Sequence, residues 1–228
     1  MNVQEVTTRR LPDLKERHLP ENCRETINTI LKETYGYEQF RNLEIYDDLS
    51  KGKEKLCISQ GQLIENVILE AEKAWKGETQ VDNILLTAPT GSGKSLLFQL
   101  PAIYLGKEYN LLTIVVSPLK ALIVDQVESL QELGYTRVAY ASSDLSPEQK
   151  MEVYRQVREG EIDLFYLSPE LLLSYDIKHF VGERRIGLVV VDEAHTVTTW
   201  GKEFRVDYWF LGRYLNTLKQ TLGYNFPL

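Results

Sequence analysis

Residues 84–95 read Ile84-Leu85-Leu86-Thr87-Ala88-Pro89-Thr90-Gly91-Ser92-Gly93-Lys94-Ser95, and this stretch decides the predicted fold. Its apolar start, residues 84–86, predicts a buried strand, and a helical pattern begins at Ser95. A strand, a glycine-bearing turn ending in Gly-Lys-Ser and a helix form the phosphate-binding P-loop pattern, although Ala88 stands where its first glycine is usual. Glycines let backbone N–H groups surround phosphate oxygens, and the helix N-terminus adds partial positive charge. The stretch therefore predicts an α/β domain that binds phosphate.

The same stretch supplies candidate ligands for a nucleoside triphosphate and its metal ion. Lys94 would reach the β- and γ-phosphates, and the Ser95 hydroxyl would hold Mg²⁺. The candidate nucleotide-binding residues of the turn and the first helical turn are Thr90, Gly91, Ser92, Gly93, Lys94, Ser95 and Leu96. The alternative is a chance Gly/Ser turn, which the preceding strand and the following helix disfavour.

A second motif follows roughly 100 residues later, where an apolar β-branched run ends in Asp192-Glu193. Asp192 would hold Mg²⁺ through its water shell. Glu193 would orient and deprotonate an attacking water, so the predicted catalytic residues are Glu193, Lys94 and Asp192. A solvated turn is the alternative for an Asp-Glu pair alone, and the P-loop upstream makes it the weaker one.

Beyond the P-loop, apolar strands alternate with helices. We predict strands at 112–116, 137–141, 163–167 and 186–191, and helices at 119–133, 147–158, after Ser168-Pro169 and at 208–222. This alternation predicts a mainly parallel sheet covered by helices on both faces. Ligands bind at the carboxyl ends of such strands, where the P-loop, Ser117-Pro118, Ser168-Pro169 and the acidic pair all fall. The motifs therefore belong to one predicted site.

We divide the chain into three parts. Residues 1–33 are an N-terminal arm and helix, residues 34–83 are a connecting region that contains an insertion, and residues 84–228 are the P-loop domain. Apolar spacing predicts helices at 21–34 and 62–75. Residues 37–61 read as irregular and lysine-rich, with a surface loop or insertion. Arg184-Arg185 reads as a charged turn.

The composition narrows the possible classes of protein. The net charge of −7 argues against a uniformly basic surface, so any nucleic-acid contact would be a local groove. No apolar run approaches the roughly 20 residues that span a bilayer, and the N-terminus shows no targeting signal, so we expect no membrane contact. Cys23 and Cys57 have no metal-binding spacing. We expect a cytoplasmic protein, nucleoid-associated if it is bacterial, and the oligomeric state stays open.

The P-loop stretch together with Asp192-Glu193-Ala194-His195 resembles the first RecA-like domain of superfamily 2 helicases, and the RecQ family is the closer match. Four further segments resemble RecQ motifs, namely residues 35–41 (Tyr-Gly-Tyr-Glu-Gln-Phe-Arg), 117–127, 164–172 and the aromatic loop 200–208. The resemblance implies an α/β RecA-like three-layer sandwich with an N-terminal helical extension. It implies an ATP-dependent DNA helicase with ATP and Mg²⁺ as cofactors and 3′-to-5′ travel along DNA.

The resemblance also implies roles for individual residues. Tyr37 would stack on adenine, with Arg41 beside it and a glutamine hydrogen-bonded to the adenine edge. We interpret residues 42–58 as an insertion. Gln62, which follows it, is the predicted glutamine, and Gln60 is the alternative candidate. Single-stranded or forked DNA would contact Ser117, Lys120, Ser168, Trp200, Phe204 and Arg205. A second RecA-like domain would be expected after Leu228, supplying an arginine to the nucleotide.

Three alternatives stay open from the sequence. Trp200, Phe204 and Tyr208 recur every four residues, which also suits a buried helical face. Lys51 to Lys55 reads most simply as a solvated loop, with DNA contact as the alternative. At the level of the whole chain, a nucleotide-dependent switch that binds nucleic acid without unwinding, or an unrelated P-loop kinase, competes with the helicase interpretation.

Overall fold

The computed structural model describes residues 19–46, 55–86, 91–194 and 206–228. The helices of these ranges are α1 (Glu25–Tyr35), α2 (Gln60–Trp75), α3 (Leu96–Tyr109), α4 (Lys120–Glu132), α5 (Pro147–Glu159), α6 (Pro169–Ser174), α7 (Ile177–Val181) and α8 (Val206–Leu222). The strands are β1 (Asn42–Tyr46), β2 (Lys55–Ser59), β3 (Leu112–Val116), β4 (Val138–Ala141), β5 (Leu164–Leu167) and β6 (Ile186–Val191). Within these ranges, no helix combines the length and apolar character needed to cross a membrane.

The main sheet has the strand order β4-β5-β3-β6, and each neighbouring pair is parallel. The central strand β3 is buried along its whole length, as its mainly apolar sequence predicts for a strand covered on both faces. Parallel neighbours need crossover connections, which the helices between the strands provide. The predicted parallel α/β sheet is therefore confirmed.

Helices cover both faces of this sheet, which gives three layers. Alternate residues of β3 point to opposite faces, so Val115 joins one core cluster while Ile114 and Val116 join the other. The first cluster lies beneath α1 to α4, and the second beneath α5 to α8. Helix α3 is buried almost all round from Leu96 to Gly106, because α1 and α2 cover the side that faces away from the sheet.

The segment predicted to be irregular contains a β-hairpin. Strands β1 and β2 pair antiparallel, with Leu43 opposite Ile58, and both of these side chains are buried. The sequence carries the signal in its period-2 alternation, Leu43-x-Ile45 and Leu56-x-Ile58, which the lysine-rich residues between the strands obscure. The prediction of irregular structure was wrong for 42–46 and 55–59.

The strand predicted at residues 84–86 is absent from the described part of the chain. The Ile84 N–H donates to the Leu228 carbonyl at 2.8 Å, and the Val189 N–H of β6 donates to the Pro227 carbonyl at 3.2 Å. The last residues of the chain therefore lie between β6 and the segment before the P-loop. One hydrogen bond on each side of residues 227–228 does not make a strand ladder. The apolar run at 84–86 therefore does not join the sheet as a strand.

Arg184 and Arg185 are packed rather than exposed in a charged turn. Arg184 forms an ion pair with the fully buried Asp163 at 2.9 Å and also donates to the Ile162 carbonyl. The Arg185 guanidinium lies 4.7 Å from the ring centroids of both Trp75 and Tyr224. Arg184 therefore connects the start of β6 to the start of β5, and Arg185 connects it to the end of α2 and to the segment after α8.

Candidate active site

The carboxyl edge of the sheet brings together residues that the sequence places far apart. The Ser117 N–H, just after β3, donates to the Leu167 carbonyl at 3.1 Å, and the Asp192 N–H donates to the Val116 carbonyl at 2.9 Å. These bonds align the ends of β3, β5 and β6 beside one another. The P-loop leads into α3, which packs against β3, β5 and β6, and the Lys94 charge acts on Asp192 at this edge.

The P-loop backbone has the conformation that its glycines allow. Gly91 and Gly93 have φ angles of 80° and 77°, a region that residues with a Cβ rarely adopt. A Cβ at Gly93 would also lie 2.7 Å from the Gln60 side-chain nitrogen, so the Gln60 amide would have to move to admit a larger residue. The turn then leads directly into α3, where the Leu97 N–H donates to the Lys94 carbonyl at 3.0 Å.

These features fit the phosphates of a nucleotide. The first turn of α3 carries no acidic residue and its N-terminal residue, Ser95, makes no side-chain cap, so the helix end can receive an anion. The Ser92 hydroxyl oxygen is buried without a hydrogen-bond partner in the described structure. A bound group that accepts or donates a hydrogen bond would satisfy it. Ser95 and Lys94 are half-buried at this site, as a metal ligand and a phosphate ligand would be.

The two acids lie at the end of β6 in a distinctive backbone geometry. Glu193 has a φ angle of 51°, which is uncommon for a residue other than glycine and costs of order 1 kcal/mol or more. Its N–H donates to the Asp192 carboxylate oxygen Oδ1 at 2.9 Å. Burial raises the pKa of Asp192, and the nearby positive charge of Lys94 acts in the opposite direction. A divalent cation at this carboxylate would favour its ionised form in the same way.

The two candidate glutamines have different surroundings. The Gln60 side chain donates to the Ser92 carbonyl at 3.1 Å and accepts from the Arg41 N–H at 3.1 Å, so it joins the adenine motif to the P-loop. The Gln62 side chain caps α2 by accepting from the Ser59 N–H at 3.1 Å, and it donates to the Pro20 carbonyl at 3.1 Å. The geometry therefore favours the rival Gln60 over Gln62 as the glutamine that contacts the P-loop, and its contact with adenine stays a prediction.

Tyr37 and Arg41 lie on the surface near this glutamine. The Tyr37 ring is half-exposed and stacks on the Tyr35 ring, with centroids 6.2 Å apart and an angle of 21° between planes. Arg41 is exposed, and its backbone carbonyl accepts from the Gln60 N–H at 2.9 Å. An exposed aromatic ring of this kind could stack on a nucleobase.

The residues predicted to contact DNA have three different positions. Ser117 is fully buried, and its hydroxyl oxygen has no hydrogen-bond partner in the described structure, so its contact with DNA stays a prediction. Lys120 is exposed and pairs with Asp144 at 2.9 Å, and Ser168 caps α6 by accepting from the Leu171 N–H at 3.3 Å. The remaining candidates, with Thr90 of the P-loop, lie outside the described residues: Trp200, Phe204 and Arg205.

Sequence reasoning did not single out Gln126, whose side-chain nitrogen donates to the Asp192 oxygen Oδ2 at 3.4 Å. Gln126 is buried and lies on the same face of α4 as Ile123 and Leu130. The sequence signal was a glutamine on an otherwise apolar face of a helix. Because a buried amide needs hydrogen-bond partners, this position indicates a polar contact inside the domain.

Comparisons with known proteins agree with this geometry. The family profile described as DEAD/DEAH box helicase matches residues 63–224. The ATP-dependent DNA helicase RecQ of Synechocystis is 33% identical over 202 residues, which cover 88% of this chain and 35% of that protein. The RecQ helicase of Haemophilus influenzae is 30% identical over 187 residues, covering 82% of this chain and 25% of that protein. The chain thus spans about a quarter to a third of these relatives, and the resemblance to RecQ helicases is confirmed.

A solved structure shares the fold. The crystal structure of the DUF1998 helicase MrfA bound to DNA and AMPPNP superposes with a TM-score of 0.56 and 21% identity. The superposition covers 93% of this chain and 26% of that one. Together with the family match, this likeness confirms the predicted RecA-like α/β fold.

Proposed function

The chain belongs to the DEAD/DEAH box helicase family, and from this membership we propose that it is the ATP-binding motor domain of a RecQ-like, ATP-dependent DNA helicase. In this proposal ATP and Mg²⁺ bind at the carboxyl edge of the sheet. Hydrolysis drives movement along single-stranded DNA and the unwinding of a duplex. Travel in the 3′-to-5′ direction is part of the proposal by resemblance to RecQ proteins.

One observation carries the proposal. Lys94, just before α3, and Asp192, just after β6, come from positions about 100 residues apart, and α3 packs against β6, so the Lys94 charge acts on the Asp192 carboxylate. A triphosphate site needs this pairing, because the lysine neutralises phosphate charge while the acid holds the metal ion. A phosphate-binding turn without a facing acid would support anion binding alone.

Each residue of the site then has a task. The N–H groups of Gly91 to Ser95 and the Lys94 ammonium bind the phosphates, and the Ser95 hydroxyl and Asp192 hold the metal. Glu193 accepts a proton from the attacking water and orients it. Mg²⁺, when bound, neutralises charge that develops on the phosphate oxygens. Tyr37 and Gln60 recognise adenine by stacking and by hydrogen bonding.

DNA binding in this proposal uses the same edge of the sheet. Lys120 and Ser168 are accessible near the ends of β3 and β5, where a DNA strand could cross the domain. Breaking the exposed pair between Lys120 and Asp144 would cost little, since surface ion pairs contribute about 0–1 kcal/mol. The Lys120 ammonium is therefore available to a DNA phosphate.

A second RecA-like domain is the expected partner of this site. We propose that it supplies an arginine that stabilises the charge on the transferred phosphoryl group, as in other P-loop enzymes. The 228-residue chain alone would then bind nucleotide but hydrolyse it slowly. Robust DNA-stimulated ATP hydrolysis by this chain alone would contradict that part of the proposal.

The function is tested by titrating a fluorescently labelled single strand with the chain, with and without a non-hydrolysable ATP analogue. The proposal predicts that the analogue changes the affinity for DNA and that added salt weakens binding, because phosphate contacts release counterions. Nucleotide binding that leaves DNA affinity unchanged would support a switch module instead. No DNA binding even at low salt would contradict the motor function.

A further inference from the structure

Four hydrogen bonds run in one direction beneath the P-loop helix, from the adenine motif to the metal-binding acid. The Tyr35 hydroxyl donates to the Gln99 oxygen at 2.9 Å, and the Gln99 nitrogen donates to the Tyr166 hydroxyl at 3.1 Å. The Tyr166 hydroxyl donates to the Gln126 oxygen at 3.0 Å, and the Gln126 nitrogen donates to the Asp192 oxygen Oδ2 at 3.4 Å.

From this geometry we propose that Tyr35, Gln99, Tyr166 and Gln126 form a relay that positions the Asp192 carboxylate for Mg²⁺ and links its position to occupancy of the adenine site. The inference rests on the proposed function, since it assigns these residues a role toward the nucleotide and its metal. They are positioning residues, because in this proposal they act on the nucleotide and its metal only through Tyr37 and Asp192.

The relay is buried and has a single consistent polarity. Tyr166 is fully buried in β5, and Gln99 and Gln126 expose less than a tenth of their surface. Each amide accepts from one hydroxyl through its oxygen and donates through its nitrogen to the next group. Turning over either amide would place two donors or two acceptors against each other, so one orientation of the whole chain of bonds is favoured.

Both hydroxyls stay protonated and can keep donating. Burial raises the pKa of Tyr166 and of Tyr35 above the ordinary tyrosine value. Loss of either proton at neutral pH is thereby disfavoured, so the donor-to-acceptor sequence persists across the range in which the protein would function.

At its far end the relay fixes the orientation of a carboxylate. Oδ2 of Asp192 accepts from Gln126, while Oδ1 accepts from the Glu193 N–H at 2.9 Å. With a partner on each oxygen, the plane of the carboxylate is held relative to the sheet edge. Groups that hold a metal-binding residue in this way commonly change metal affinity by about 10-fold to 100-fold when they are removed.

At its near end the relay begins beside the exposed ring proposed to stack on adenine. Tyr35 is the last residue of α1, and its ring lies parallel to that of Tyr37. A base placed on Tyr37 would restrict the Tyr37–Tyr35 stack and, through the Tyr35 hydroxyl, the Gln99 amide on α3. Base recognition and metal positioning would thus be coupled through hydrogen bonds within the domain.

The test compares the affinity for a fluorescent, non-hydrolysable ATP analogue in excess Mg²⁺ with the affinity in EDTA, for each variant of the full 228-residue chain. The measured quantity is the ratio of the two dissociation constants, which isolates the contribution of the metal from general changes in binding. We expect the gain from Mg²⁺ to fall about tenfold in Gln126→Met and at least about threefold in Tyr166→Phe.

Tyr104→Phe is the matched control. Tyr104 is a buried tyrosine of α3 whose hydroxyl donates to a carboxylate, Glu72, at 3.1 Å, and it lies outside the relay. This variant should keep the Mg²⁺ gain of the unaltered chain even though it loses a buried hydrogen bond. All measurements are made where thermal unfolding curves show the variants to be folded.

A double variant tests the linkage along the relay. Tyr35→Phe should lower the Mg²⁺ gain in the same direction as Tyr166→Phe, and the two changes together should do no more than Tyr166→Phe alone, because groups that act through one network are not additive. Additive effects, or a Tyr166→Phe variant with the Mg²⁺ gain of Tyr104→Phe, would overturn the relay while leaving nucleotide binding intact. Failure of the unaltered chain to bind the analogue would overturn both the relay and the proposed function.

Discussion

The Gln60 side-chain nitrogen donates to the Ser92 carbonyl at 3.1 Å, which connects the start of α2 to the P-loop. The same amide accepts from the Arg41 N–H, so the adenine motif, α2 and the phosphate-binding turn share one side chain. Gly93 lies so close to this amide that a Cβ there would displace the Gln60 side chain. The position of the adenine motif relative to the P-loop is therefore set within this domain.

Gln60→Ala is expected to weaken ATP binding by about 1 kcal/mol, the typical contribution of one hydrogen bond, with a smaller effect on a nucleotide that has a different base. Gln62→Ala is the matched control, since it removes the capping side chain of α2 two residues away. That change should lower the free energy of unfolding by about 1 kcal/mol and leave ATP affinity unchanged. Equilibrium binding and urea unfolding measure the two effects, and the reverse pattern would restore Gln62 as the adenine ligand.

The stability of the chain should depend on pH through Glu72. The Arg24 guanidinium at 2.6 Å and hydroxyls from Tyr104 and Tyr109 outweigh the effect of burial, which alone would raise the pKa, and hold the Glu72 pKa below its ordinary value of 4.5. A lowered pKa in the folded state means that the stabilisation is complete above about pH 4.5 and is lost as the pH falls through the folded-state value.

Urea unfolding at a series of pH values, compared between the unaltered chain and Glu72→Gln, measures this contribution. The difference in free energy of unfolding should be largest near neutral pH and should shrink in acid. A difference that stays constant with pH would show that Glu72 stabilises the fold through shape and hydrogen bonding alone.

Asp163→Ala should destabilise the fold strongly. Asp163 is fully buried and pairs with Arg184, which is only 4% exposed, and with Arg137 at 2.6 Å. Removing the acid leaves a buried guanidinium without its counter-charge, which typically costs about 3–5 kcal/mol. Urea unfolding measures the loss.

Glu152→Gln is the control for that prediction, because it breaks an exposed pair with Arg155 at 2.7 Å. An exposed pair contributes less than about 1 kcal/mol. Similar losses in Asp163→Ala and Glu152→Gln would contradict the view that the buried cluster holds β5 and β6 together.

Much of the sheet could be predicted from the sequence, because its signals are local. The four apolar residues of β3 and the run that ends at Asp192 both indicate buried strands, and their ends coincide with polar motifs. Strands β1 and β2 pair where a loop was expected. They were missed because the apolar alternation of each is short and lysines lie between them in the sequence. Residues 84–86 form no strand, because the single backbone hydrogen bond from Ile84 to Leu228 does not make a ladder. The sequence gives no sign that residues 227–228 lie between this segment and β6.

The polar interior of the site was harder to predict. Tyr166 looks like one more apolar residue of a strand, and Gln126 looks like an ordinary polar residue of a helix. Their importance depends on which helices cover which face of the sheet, and this is a property of tertiary packing. Gln60 and Gln62 illustrate the same limit, since the start of α2 decides which of the two is used as a helix cap.

Trp200→Ala tests the proposed role of the aromatic loop, whose residues 200–205 lie outside the described structure. It should leave ATP affinity unchanged and weaken the coupling between nucleotide and single-stranded DNA, because aromatic rings supply about 1–3 kcal/mol of base stacking each. The labelled-strand titration with and without the ATP analogue measures this coupling. Unfolding of the variant would instead indicate that Trp200 belongs to the core.

The account depends most on the P-loop binding a triphosphate through Lys94, and equilibrium binding of ATP with Mg²⁺ to Lys94→Ala tests this directly. Lys107→Ala is the control, because Lys107 is an exposed lysine in the last turn of the same helix. We predict that Lys94→Ala lowers ATP affinity by at least about tenfold, or about 1.4 kcal/mol, while Lys107→Ala leaves it unchanged. Equal affinity in Lys94→Ala and the unaltered chain would contradict the ATP-binding site described above.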